Sequence, residues 1–81
     1  MFQLIKGAEV DEFETMRCLG LHLWRRAGLE TASIGWLYQE HGDGWLVARY
    51  VAGLLFEQGI RVEEEGRGLS MASVLYYWLQ G

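Results

Sequence analysis

Proline is absent from this chain of 81 residues, and cysteine occurs once. Without proline, the punctuation of the chain falls to glycine. The lone Cys18 excludes an internal disulfide framework and fits a reducing cytosol. Cationic side chains are also scarce, with 7 Lys and Arg against 11 Asp and Glu and a net charge of −4. A nucleic-acid binder gains affinity by neutralising phosphates, so this balance disfavours an anionic duplex and favours a protein partner, a basic one above all. The opening Met1–Lys6 run is too short for a signal peptide. No uncharged apolar segment reaches the roughly 18 residues that cross a bilayer. The longest uncharged run, Leu69 to Gly81, is interrupted by Ser70 and Ser73. A soluble, cytoplasmic protein without membrane contact is the expectation.

Apolar residues make up 51% of the chain and charged ones 22%, a globular rather than a disordered balance. The length allows one domain, 1–81, close to the lower limit for a core that holds without staples. Its aromatics are many: Trp24, Trp36, Trp45 and Trp78, with Tyr38, Tyr50, Tyr76 and Tyr77. Each ring buries roughly 150–250 Å². A few of them build most of a small core, and the surplus is expected to be shared with a partner. Complete internal packing is the alternative.

Phe2–Ile5 alternates weakly and reads as a short strand before Gly7. Val10 to Ala27 reads as a helix, with Phe13, Met16, Leu19 or Gly20, Leu23, Trp24 and Ala27 at three- and four-residue steps. Asp11 and Glu14 have capping-box spacing, Arg25 and Arg26 suit the last turn, and Gly28 stops it. Thr31 or Ser33 caps a second helix that runs to His41 and ends at Gly42. Asp43 caps a third, with Leu46, Val47, Tyr50, Val51, Leu54 and Leu55 on one broad stripe and Ala48, Ala52 and Gly53 as a small-residue face. A helix apolar nearly all round is expected at the centre of the core. Gly59 ends it. Ile60-Arg61-Val62 then alternates inward and outward, Glu63–Glu65 carries the strand into solvent, and Gly66-Arg67-Gly68 turns. Leu69–Leu79 reads either as a helix capped by Ser70 or as a strand paired with Ile60–Glu64; the helix is preferred.

Catalytic chemistry finds little support. Cys18 and His22 are four apart on one helix, spacing that suits a metal pair or an imidazole-activated thiol. No further ligands stand at recognisable spacing, so a half-buried Cys18 and a His22 at the core edge are expected instead. Glu63, Glu64 and Glu65 are adjacent, and a strand sends them to alternating faces instead of converging them on a substrate. They read as a solubilising edge that blocks strand pairing. Gly42-Asp43-Gly44 and Gly66-Arg67-Gly68 lack the spacing of phosphate-binding loops. The chain is expected not to be an enzyme, and to hold no metal or cofactor.

From Ser33 to Gly68 the order is short helix, tight turn, longer helix ending Leu54-Leu55-Phe56-Glu57-Gln58-Gly59-Ile60, strand and Gly-rich turn. This resembles the core of a winged-helix module, in which the second helix reads the major groove and the hairpin forms the wing. The resemblance covers somewhat less than half the chain. It departs where DNA would be met, with Arg49 nearly alone on the reading helix and Glu63, Glu64 and Glu65 against Arg67 in the wing. Those departures point to a winged helix used for protein contacts.

The reading is an α+β domain dominated by three helices, with short strands near residues 2–5 and 60–64 and a winged-helix-like core as one possibility. Its function reads as a small acidic interaction module: a regulator, adaptor or inhibitor that binds a protein. Trp36, Trp45, Tyr76, Tyr77 and Trp78 are the candidate anchors, with Arg49 and the acidic flank Glu63, Glu64 and Glu65. The aromatic Tyr76-Tyr77-Trp78-Leu79 segment must dock somewhere, and a homo-oligomer is one way to cover it. The alternative function is a winged-helix DNA-binding transcriptional regulator.

Overall fold

The computed structural model describes residues 1–81. In chain order the elements are β1 (Phe2–Lys6), β2 (Glu9–Phe13), α1 (Met16–Arg26), α2 (Thr31–His41), α3 (Gly44–Glu57), β3 (Ile60–Glu64), β4 (Arg67–Leu69) and α4 (Met71–Gln80). The fold is α+β, as expected: three helices and the preferred helix at the end of the chain are present, and the sheet has four strands instead of two.

The strands form one antiparallel sheet in the order β2-β1-β3-β4. Its centre is a long-range pair, with Phe2 opposite Glu64 and Lys6 opposite Ile60. Local hairpins flank it. Lys6 pairs with Glu9 across Gly7-Ala8, and Glu64 pairs with Arg67 across Glu65-Gly66. Glu65 and Gly66 both take positive φ, 51° and 80°, the pattern of the two-residue turn whose twist matches that of the strands. The turn is thus Glu65-Gly66, and Arg67 and Gly68 already belong to β4.

The helix expected from Val10 to Ala27 begins only at Met16. Residues 9–13 instead form β2, whose Val10 pairs with Ile5 and Phe13 with Phe2. Asp11 and Glu14 therefore make no capping box. Thr15 is the cap, its hydroxyl accepting from Cys18 N at 3.1 Å. Gly28 does stop the helix, at φ 83°. α2 starts at Thr31 with Glu30 in the cap position and no side-chain cap, so neither Thr31 nor Ser33 has that role. Asp43 caps α3 with one carboxylate oxygen, which accepts from Trp45 N at 3.0 Å and Leu46 N at 3.2 Å. Ser70 caps α4, accepting from Ser73 N, so residues 71–80 are helical as preferred.

The core lies between the inner sheet face and α1, α3 and α4. Leu4, Ile60 and Val62 come from the sheet; Leu19, Leu23 and Trp24 from α1; Val47, Ala48, Val51 and Leu55 from α3; and Val74 and Leu75 from α4. α4 packs against both α1 and α3, which in turn reach the sheet. Each fully buried leucine or valine contributes about 1.5–3 kcal/mol through removal from water. α2 supplies only Ile34 as a buried residue. It is the least anchored helix, and it covers little of α3.

Candidate functional site

α3 was expected at the centre of the core, and half of it is there. Val47, Val51 and Leu55 recur at four-residue steps and are buried with Ala48. Leu46, Tyr50 and Leu54 precede them by one position each, about 100° round the helix. That offset carries them out of the core to exposed positions, correcting the single broad stripe. Only one side of α3 has neighbours, and nothing in a helix's own periodicity says how many neighbours it will have.

The outer half of α3 is consequently an apolar face in solvent. Tyr50 is 68% exposed, Phe56 72% and Leu46 57%. Gly53 runs along its middle, and a Cβ added there would meet nothing within 4 Å. Arg49 and Glu57 are the charged residues of α3; both are exposed, and neither enters an ion pair within the chain. On the α2 side, Leu37, His41, Leu46, Val47 and Tyr50 line an open groove of about 420 Å³. Contiguous exposed apolar surface of this kind marks interaction sites.

The expected anchors fall into three places. Trp45 stands at the start of α3, its ring packed edge-on against Tyr76 of α4 with centroids 5.5 Å apart, and Arg49 lies one turn further on. Trp45 and Tyr76 are thereby brought together at the α3–α4 seam, while Arg49 stands exposed on the outer face of α3. Trp36 is 74% exposed on α2, away from Ile34 and the core. Tyr77 is exposed on α4, whereas Trp78 is half-buried between α1 and α4, its ring 6.5 Å from that of Trp24 and under the guanidinium of Arg17. The Tyr76–Leu79 segment thus docks on its own domain. Leu46, Tyr50, Leu54 and Phe56 extend the face and were not among the anchors expected. Their signal is the near-absence of charge from α3.

The three glutamates do not converge. Glu63 pairs with Arg61 Nε at 3.3 Å, Glu64 is exposed on the strand, and Glu65 sits in the turn with its carboxylate on the Met1 amine. That contact holds the Glu65 carboxyl below its usual range and raises the amine above its own. Arg26 similarly binds Glu9 at 3.1 Å and lowers its carboxyl pKa, first by the hydrogen bond and then by charge. These pairs tie β1 to the β3–β4 turn and β2 to α1.

Cys18 is exposed, not half-buried, because it faces away from the Leu19–Leu23 stripe. His22 is half-buried against Phe13 with ring centroids 4.9 Å apart, and its Nε2 is buried with no protein partner. No three His, Cys, Asp or Glu side chains come together in a metal-binding arrangement. No helix is long and apolar enough to cross a membrane. Comparison with protein-family models, curated proteins and solved structures finds no match to the chain.

Proposed function

We propose that this chain is a small acidic, non-enzymatic interaction module that acts as a regulator, adaptor or inhibitor by binding protein through α3. The observation that carries the reading is the outer half of α3, where Leu46, Tyr50, Leu54 and Phe56 are exposed beside Trp45. Large rings held on a rigid helix bury much area at small entropic loss, which suits them as anchors. Trp36 and Tyr77 offer further contacts at its margins. The net charge of −4 favours a basic partner in the encounter, and the unpaired Cys18 fits a reducing, cytoplasmic setting. Immobilised protein should retain a stoichiometric protein from nuclease-treated host lysate. Retention should be lost in the Leu46→Glu/Tyr50→Glu variant and reduced in Trp45→Ala. Full retention by both folded variants rules out this face.

The second reading is a winged-helix DNA-binding regulator. The order of α2, turn, α3 and the β3–β4 hairpin favours it. Against it, the exposed side of α3 offers phosphate the cation Arg49 alone, and the same face carries the acidic Glu57 about two turns further on. A mobility shift at low salt that needs Arg49 and Arg67 would establish DNA binding; no retardation there removes it.

A further inference from the structure

The occupant of the α3 face can be read from its own pattern. Gly53 sits mid-helix, where glycine is unfavourable. The chain itself does not require it, since its φ is not positive and a side chain would project into open space. Gly53 is flanked at equal distances by opposite charges, Arg49 four residues before and Glu57 four after. It is flanked by rings in the same way, with Tyr50 three before and Phe56 three after. Gly35 of α2 is equally open, yet Thr31 and Gln39 flank it without charge.

A two-fold axis at Gly53 uses this pattern in full. When two antiparallel helices cross at a residue, positions n before it on one helix lie level with positions n after it on the other. We infer that the α3 face is covered by a second copy of this chain, the two α3 helices crossing antiparallel at Gly53. Arg49 and Tyr50 of one copy then meet Phe56 and Glu57 of the other, and the axis repeats the contact at the opposite end. The guanidinium gains a carboxylate and an aromatic face, and the Tyr50 hydroxyl gains an acceptor. The glycines let the backbones approach. A parallel pairing sets Arg49 beside Arg49 and Glu57 beside Glu57, and like charges reject it.

The inference rests on the reading of α3 as a binding face, and it gives that face to a second acidic copy instead of a basic protein, the local Arg49–Glu57 pairs outweighing the like net charges. Sedimentation equilibrium should show a reversible dimer of the full chain. Arg49→Glu and Glu57→Arg should each weaken it by about tenfold or more, and the double variant should recover to within about threefold of the parent. Gly53→Gln should be monomeric by sedimentation and still folded by circular dichroism, because its side chain has open space in the protomer. A parent that stays monomeric at about 0.5 mM, weaker than any specific dimer of use, overturns the inference. So does a dimer indifferent to all three single substitutions. An apolar dye, anilinonaphthalene sulfonate, separates the two readings in a monomeric parent. Dye binding that Leu46→Glu abolishes leaves the face intact and only the second copy wrong, and absence of dye binding removes both.

Discussion

Trp24 Nε1 donates to the main-chain carbonyl of Leu75 at 3.3 Å, inside a core where both residues are fully buried. One side chain of α1 thus fills the interior and fastens α4, the helix that also supports α3. Trp24→Phe removes both the donor and part of the ring. The expected loss is about 2–4 kcal/mol, from the cavity and the unsatisfied carbonyl together. Urea unfolding checks it through a lower midpoint at unchanged slope.

Gly20 of α1 lies directly against α4. A Cβ there would stand 3.0 Å from Trp78 Cβ and 3.3 Å from the Val74 carbonyl oxygen. Alanine ordinarily stabilises a helix by about 0.5–1 kcal/mol over glycine. Here the close backbone contact outweighs that gain, and Gly20→Ala should lower stability by about 1–3 kcal/mol. A melting temperature at or above that of the parent would show that the seam yields.

The two sides of α3 should differ sharply in their response to truncation. Leu55→Ala, in the core, is expected to lose about 2–5 kcal/mol. Tyr50→Ser on the outer face should change protomer stability by no more than about 0.5 kcal/mol. Denaturant curves for both at a dilution that suppresses association test the division.

The Glu9–Arg26 pair gives a pH dependence of known sign. The Glu9 carboxyl is held below its ordinary 4.5 by Arg26. Its contribution is therefore complete above that ordinary value and disappears as pH falls through the lower folded value. Both partners meet solvent, so the effect is small and salt-sensitive. Arg26→Ala should flatten the decline of melting temperature below about pH 4.5.

What was legible in the sequence was local. Asp43 and Ser70 act within three residues of themselves, and Gly28, Gly42 and Gly59 all take the positive φ that ends their helices. β2 was hidden because Val10 and Phe13 are spaced three apart, as two residues on one helix face are. Acids such as Asp11 and Glu12 also fit a helix start as well as an exposed edge strand. The Gly7-Ala8 turn was the missed signal. Gly7 takes φ 58° between Lys6 and Glu9, which pair across it. The α3 face was hidden for another reason. An apolar side chain declares that it prefers cover, and only the arrangement of the other helices decides whether the chain provides any.

The sheet order sets the sequence of folding events. Both hairpins close over two-residue turns and assemble on the microsecond scale. The central β1–β3 ladder instead joins Phe2 to Glu64, and closing so long a loop costs roughly 3–4 kcal/mol of chain entropy before the ladder is rewarded. That step is the natural bottleneck. Until Ile60–Glu64 arrives, the β1–β2 hairpin carries an open main-chain edge along β1, where any extended segment can add. Rapid capture of β1 by its own β3 is what separates a folding chain from one that recruits its neighbours.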